Sequence, residues 1–284
     1  MATPPGKVPI AESAAAGLKF LADNWQKLLP GSALMGVLSA AYFLVGSTAG
    51  AGGQSLELLV TLAFLVGLIL VSASFYRLAL RNEFPGASGL KFGADEKTFF
   101  GASLWSSLPI FAILAPSIIG FFMLFTAAAQ KSGYTLDQLF ADEKLAQEAL
   151  AAQGGGGGVS LLFLISLVVV LWLFARLSLA VPASMNEGKI KVWSTFAWTK
   201  GNVWRIFAAQ LLLWAPLFIL AQVVVSIFSL ALGINPGEAQ AGKIAASPTL
   251  AIYGFVNGAT STLLITAPIT GLLAFLYKGL RPST

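Results

Sequence analysis

"LELLVTLAFLVGLILVSASFYRLAL", residues 56–80, is an apolar run with one acid, Glu57, at its start and one cation, Arg77, near its end. At 1.5 Å per helical residue, ~20 such residues cross ~30 Å of hydrocarbon. No soluble core needs a stretch of this length without an ionic break. Five further stretches meet the same test, and the six spans are expected near 28–49, 56–80, 103–129, 159–181, 203–232 and 249–277. Composition agrees. The 284 residues are 57% hydrophobic and 10% charged, with a mean hydropathy of +0.81. A soluble domain carries ~25% charged residues and needs them to cover its surface. The solvent for this chain is therefore expected to be lipid, and the fold all-α.

Six spans leave seven polar segments on alternating sides. The N-terminus, the loops near 81–102 and 182–202, and the C-terminus share one side. With the adjoining span ends, these segments hold 14 of the 17 Lys and Arg residues, leaving Lys131, Lys144 and Lys243 for the other side. Acids divide six and six. An asymmetry confined to Lys and Arg is the positive-inside pattern, so both termini are expected in the cytoplasm. No cleavable signal peptide is evident, and the first span is expected to serve as the targeting signal. The net charge of +5 could suggest nucleic acid, but the cations sit at span ends. Anionic lipid headgroups are the expected partner, and no nucleic acid is.

The chain also repeats itself. "FYRLAL" at 75–80 recurs as "FARLSL" at 174–179, Trp105 matches Trp204, and Ala115-Pro116 matches Ala215-Pro216, all at an offset of 99 or 100 residues. "LYKGLR" at 276–281 is a looser third ending. The pattern predicts three parallel helix hairpins, each entered through a Trp-bearing interfacial segment. Parallel repeats are less diagnostic of alternating-access carriers than inverted ones. The first such segment is 1–27. Ala14, Leu18, Leu21, Trp25 and Leu28 fall on one helical face, with Glu12, Lys19, Asp23 and Lys27 largely off it. This spacing predicts an amphipathic helix lying in the membrane surface until the chain turns inward at Pro30, or alternatively a soluble docking helix.

The densest segment is "KVWSTFAWTKGNVWRIF", 191–207. Gly201-Asn202 is expected to break the helix there, with Asn202 capping the next one. Indole rings favour the headgroup level, and adjacent Lys and Arg reach phosphates. The expected interfacial set is Trp25, Arg77, Trp105, Arg176, Lys189, Lys191, Trp193, Trp198, Lys200, Trp204 and Arg205. It serves either as an anchoring belt or as a specific lipid or partner site.

On the opposite face, 130–158 is the one sizeable loop. Thr135 and Gln138 form a capping box, from which an acidic helix bearing Asp137, Asp142, Glu143 and Glu148 is expected to run to about Ala152. The glycines of 154–158 then act as a linker. No Lys follows them, so they do not form a phosphate loop. The acids fit no divalent-cation loop and are expected to form a solvated face.

Candidate chemistry is sparse. The chain has no Cys and no His, which removes thiol and imidazole chemistry and the commonest zinc ligands. No metal and no cofactor are expected. Within the spans, Gln210, Gln222 and Asn257 are either inter-helix glue or the lining of a polar cavity. Pro116, Pro216 and Pro268 can kink their helices. Glu187 is a candidate acid, expected to pair with Lys189 or Lys191, to be solvated or, in a weaker reading, to act in catalysis.

"RLSLAVPASMNEGKIKVWSTFAWTKGNVWRIF", 176–207, carries Arg176, Pro182, Glu187-Gly188, Trp193, Trp198, Lys200-Gly201-Asn202, Trp204 and Arg205. It resembles a motif of uncharacterised bacterial integral membrane proteins similar to the YciC-like group and to the membrane domain accompanying some glycerophosphoryl diester phosphodiesterases. The resemblance covers about a tenth of the chain. It implies a bacterial inner membrane and no established activity, since the phosphodiesterase chemistry belongs to a separate soluble domain. The expectation is a single integral membrane domain over 1–284. It would act as a non-enzymatic accessory or scaffold subunit that binds lipids, sits in a larger membrane complex or forms a homo-oligomer. The alternative is a transporter or lipid-translocating protein.

Overall fold

A computed structural model describes residues 6–48, 54–152 and 157–281. Among these residues there are helices and turns and no strand. Six helical stretches are long and apolar enough to cross a bilayer: Ile10–Gly46, Ser55–Arg81, Ala94–Ser132, Leu161–Glu187, Val203–Leu232 and Pro248–Leu280. The glycine linker expected at 154–158 falls mostly outside the described residues, and Gly157 already begins a helix. The chain divides into two compact units, Met1–Ser103 with Leu177–Thr284, and Leu104–Arg176.

The first unit is built around α1 (Ile10–Gly46), which packs on α2 (Gln54–Arg81), α9 (Val203–Leu232), α11 (Pro248–Ser261) and α12 (Ala267–Leu280). This corrects the expectation for the N-terminal segment. There is no surface helix followed by a turn at Pro30, because α1 runs unbroken through that proline. Its 37 residues make a rod of about 55 Å. A mid-helix proline costs ~3 kcal/mol, and packing on both sides offsets that cost. N-terminal to Pro30, Gly17 lies against Leu213, Leu272 and the Pro268 carbonyl; C-terminal to it, Gly31 lies against Val71 and Phe75. The buried face matches the spacing only in part. Ala14 and Leu28 of the expected face are buried, with Ser13 and Gly17 beside them, whereas Leu18 and Trp25 are about half exposed. Apart from Leu28, small residues mark the contact.

The same logic joins α1 to α11. Gly254 and Gly258 lie one turn apart on α11, and a Cβ at Gly258 would stand 2.6 Å from the Met35 carbonyl and 2.5 Å from Ser39 Cβ. At Gly254 the clash would be with Ala40 Cα at 2.8 Å. Lipid tails are as apolar as the helices, so association rests on close van der Waals approach, which this small-xxx-small spacing permits. Further along, a five-residue π-helical turn, Thr262–Thr266, separates α11 from α12. It lies immediately before Pro268, whose ring would crowd the carbonyl four residues back in a regular helix. Pro116 and Pro216, in contrast, lie inside continuous helices.

The second unit comprises the larger part of α3 (Ala94–Ser132), with α4 (Leu136–Ala141), α5 (Glu143–Ala152) and α6 (Gly157–Leu177). The capping box forms as expected, Thr135 accepting from the Gln138 backbone and Gln138 accepting in return. The acidic helix is interrupted, however. Asp142 leaves the helical conformation, and its carboxylate accepts from the Lys144 backbone at 2.9 Å, restarting the helix. Leu139, Ala146 and Ala149 of this pair pack on Phe125, Ala128 and Ala129 of α3. Deeper in the spans, the Ser117 and Ser166 hydroxyls meet at 2.7 Å.

Candidate functional site at the end bearing the termini

The first unit gathers four pieces at the end where the chain starts and stops: the beginning of α1, the α2–α3 junction, α7 (Ala180–Glu187) with α8 (Val192–Trp198), and the end of α12. The junction is tied by charge. Arg77 and Glu96 form an ion pair in which both side chains are 2% exposed. Arg77 also donates to the Gly89 carbonyl at 3.1 Å. Arg81 donates to Asp95 at 2.5 Å and lies 3.3 Å from Glu83. The chain leaves α2 through Asn82 at φ 55°, a left-handed conformation that Asn tolerates.

Arg77 was expected at the lipid headgroups, and here the structure corrects the sequence reading. Its guanidinium is spent on Glu96 and a backbone carbonyl inside the fold. A cation at a span end looks the same in sequence whether it faces phosphate or a carboxylate that arrives 19 residues later.

The next segment turns on two glycines. Gly188 (φ 66°) stops α7 and Gly201 (φ 80°) makes the turn from α8 into α9, each in the left-handed region where a Cβ is penalised. Between them, the Ser184 hydroxyl accepts the Lys191 backbone N–H at 2.8 Å, and Glu187 pairs with Lys191 at 2.9 Å. Ile190 reaches Gly101 of α3. Trp198 is half-buried against the Tyr277 ring of α12, and the Tyr277 hydroxyl accepts from the Asn186 amide at 3.1 Å. Lys278 donates to the Ala79 carbonyl at 3.0 Å.

Asn202 occupies the cap position of α9, but its side chain does not cap. Instead, its oxygen accepts the Val8 N–H at 2.9 Å and its amide donates to the Gly6 carbonyl at 3.0 Å. Arg205 adds a bond to the Val8 carbonyl at 3.1 Å. Val8 is fully buried under this clasp. Sequence reading placed the break correctly and missed the clasp, because nothing in the residues 194 positions away signals the pairing.

Most of the remaining residues of the expected interfacial set stay outside, and Arg176 does not. Trp193 and Trp204 are 62% and 66% exposed, and Trp25 is 50% exposed. Lys189, Lys200 and Arg205 are exposed beside α8 and the Gly201 break. Along α8 and the start of α9 the structure thus presents exposed indoles beside cations. In the second unit, Trp105 is exposed, while Arg176 is buried with its guanidinium 5.6 Å over the Trp172 ring.

The polar residues expected to line a cavity are not alike. Gln210 is buried, and neither its amide nitrogen nor its oxygen has a hydrogen-bond partner. Gln222 is exposed on the same helix, about 18 Å further along and about 120° around. Asn257 is half-buried. Gln210 and Gln222 therefore do not line one face. Comparison with protein-family models, curated proteins and solved structures found no match for the chain.

Proposed function

We propose that the chain is a non-enzymatic membrane subunit of the bacterial inner membrane, with both termini in the cytoplasm. Its indole- and cation-bearing end would bind anionic lipid headgroups and seat a partner membrane protein or a second copy. The observation that carries this reading is the exposure of Trp193, Trp204, Lys189 and Lys200 around a rigid support. Two glycine stops, the Ser184–Lys191 bond and the Asn202 clasp fix that support. Rings with wet N–H groups beside cations suit a layer that is apolar below and phosphate-rich above. The Lys and Arg asymmetry supports the orientation, and the offset of 99 or 100 residues supports three parallel hairpins. The resemblance of 176–207 to the YciC-like group stands as part of this proposal.

The experiment is lipid counting on the purified full-length protein by native mass spectrometry. Wild type should retain anionic over zwitterionic phospholipid, and the variant carrying Trp193→Ala, Lys189→Gln and Lys200→Gln should lose that preference. Equal retention of both lipid classes by wild type would overturn the reading. A reporter that fluoresces only in the cytoplasm should light up at either terminus.

A second reading, a transporter or lipid-translocating protein, is favoured by one observation, the buried and unpartnered Gln210 amide. It requires that amide to face a hydrated path, so water-accessible labelling of a cysteine placed at 210 tests it.

A further inference from the structure

The opposite end of the first unit holds a cavity that the lipid-binding reading does not use. There α1 stops at Gly46, α2 begins at Gln54, and α10 (Pro236–Gln240) lies beside them. Between them is an open cavity of about 380 Å³, lined by Tyr42, Phe43, Gly46, Glu57 and the segment 239–242. That volume is near the lower bound of small-molecule sites, ~300–1,000 Å³.

Its chemistry is specific. Glu57 is half-buried at the start of α2. Among the described residues it has no hydrogen bond and no ion pair. The carboxylates of Asp23, Glu83, Asp95, Glu96 and Glu187 all meet a Lys or Arg. Lys243, which follows the lining segment 239–242, is exposed and is not paired with Glu57.

Beside the free carboxylate stand two aromatic rings held in place. Phe43 sits edge-on to the buried Tyr253 at 5.2 Å, and Tyr42 sits edge-on to Phe43 at 6.3 Å while touching Phe64. Tyr42 remains 44% exposed, so part of its ring is open to a ligand. On the α10 side, Gly242 at φ 65° brings its backbone against the Gly46 carbonyl. A carboxylate that shares a cavity with aromatic rings attracts a cation and repels an anion. The small volume and the aromatic wall favour an organic ammonium over a hydrated metal ion, which requires several oxygen ligands.

We propose that this cavity binds a small organic ammonium group, with Glu57 as its counter-ion and Tyr42 and Phe43 as its aromatic wall. The group is either an ethanolamine lipid headgroup or a free primary amine, which share this chemistry. The proposal assumes nothing about which side of the membrane the cavity faces.

The test uses the full-length protein in phosphatidylglycerol nanodiscs, with two probes. One arm titrates in phosphatidylethanolamine and counts bound lipid by native mass spectrometry. The other adds free ethanolamine and follows binding by calorimetry. Saturable binding in the first arm alone identifies a lipid site, and in the second alone a soluble-amine site; either supports the proposal. Glu57→Gln should weaken binding roughly tenfold or more, the scale of a lost hydrogen bond to a charged group. Tyr42→Leu should weaken it about two- to fivefold, and because Tyr42 is half exposed this variant carries the test should Glu57→Gln fail to fold. No saturable binding in either arm, or wild-type affinity in the folded variants, overturns it.

Discussion

Glu96→Ala should be among the most damaging single changes at the α2–α3 junction. Arg77 and Glu96 are both 2% exposed, and removing one partner of a buried pair strands the other charge away from water. Such a change costs ~3–5 kcal/mol. The geometry places this case at the lower end, because Arg77 would keep its bond to the Gly89 carbonyl and the Asp95 carboxylate at 3.6 Å. Asp95 is already held by Arg81 at 2.5 Å, so it compensates only in part. The expected loss is therefore about 3 kcal/mol. Replacing both residues, Arg77→Met with Glu96→Leu, removes the charges together and should return stability to within ~1 kcal/mol of wild type or above it. The assay is reversible unfolding in mixed detergent and dodecyl sulfate micelles, followed by tryptophan fluorescence, for the four members of the double-mutant cycle. Asp23→Asn is the control. Its bridge to Lys19 has both side chains more than half exposed and should cost below ~0.5 kcal/mol. A Glu96→Ala loss no larger than the control would refute the claim that the junction is dry and paired.

Four other changes probe separate positions. Gly258→Val drives a side chain into the Met35 carbonyl and Ser39 and should cost ~1–3 kcal/mol or abolish folding, whereas Gly46→Ala, with open space around it, should change stability by less than ~0.5 kcal/mol. Gln210→Leu removes a buried amide that has no partner and should stabilise by ~1–2 kcal/mol. A destabilisation would show instead that the amide is engaged, as the transport reading requires. Asn202→Ala releases Gly6 and Val8 from the clasp. Hydrogen exchange at Val8 should then accelerate about fivefold or more, and unchanged protection would contradict the clasp.

The number of long apolar helices was legible in the residues, and so were most of their bounds, although the first begins at Ile10 rather than near 28 and the third at Ala94 rather than near 103. The stretch 203–232 coincides with α9, and 56–80 falls within α2. The candidate site was legible only in part. Trp193 and Trp204 are exposed, as an interfacial belt requires, but Arg77 does not face outward and Asn202 does not cap. Pro30 misled because a proline is a strong local signal, and packing on both sides overrides it. The Gly254–Gly258 contact was present in the letters and went unread, since glycine is common in membrane helices for several reasons and only a partner surface distinguishes them.

The sequence by itself determined which stretches are apolar enough for hydrocarbon and that six long apolar helices result. Transfer from water to lipid is a property of each side chain alone, and it adds along the chain. Tertiary structure decided what the polar groups do: that Glu96 takes Arg77, that Asn202 holds Val8, and that Glu57 stands unpaired in a cavity it shares with two rings. Each of these is a relation between residues far apart in sequence, set by which helix lies against which. That information appears only once α1 has found its neighbours.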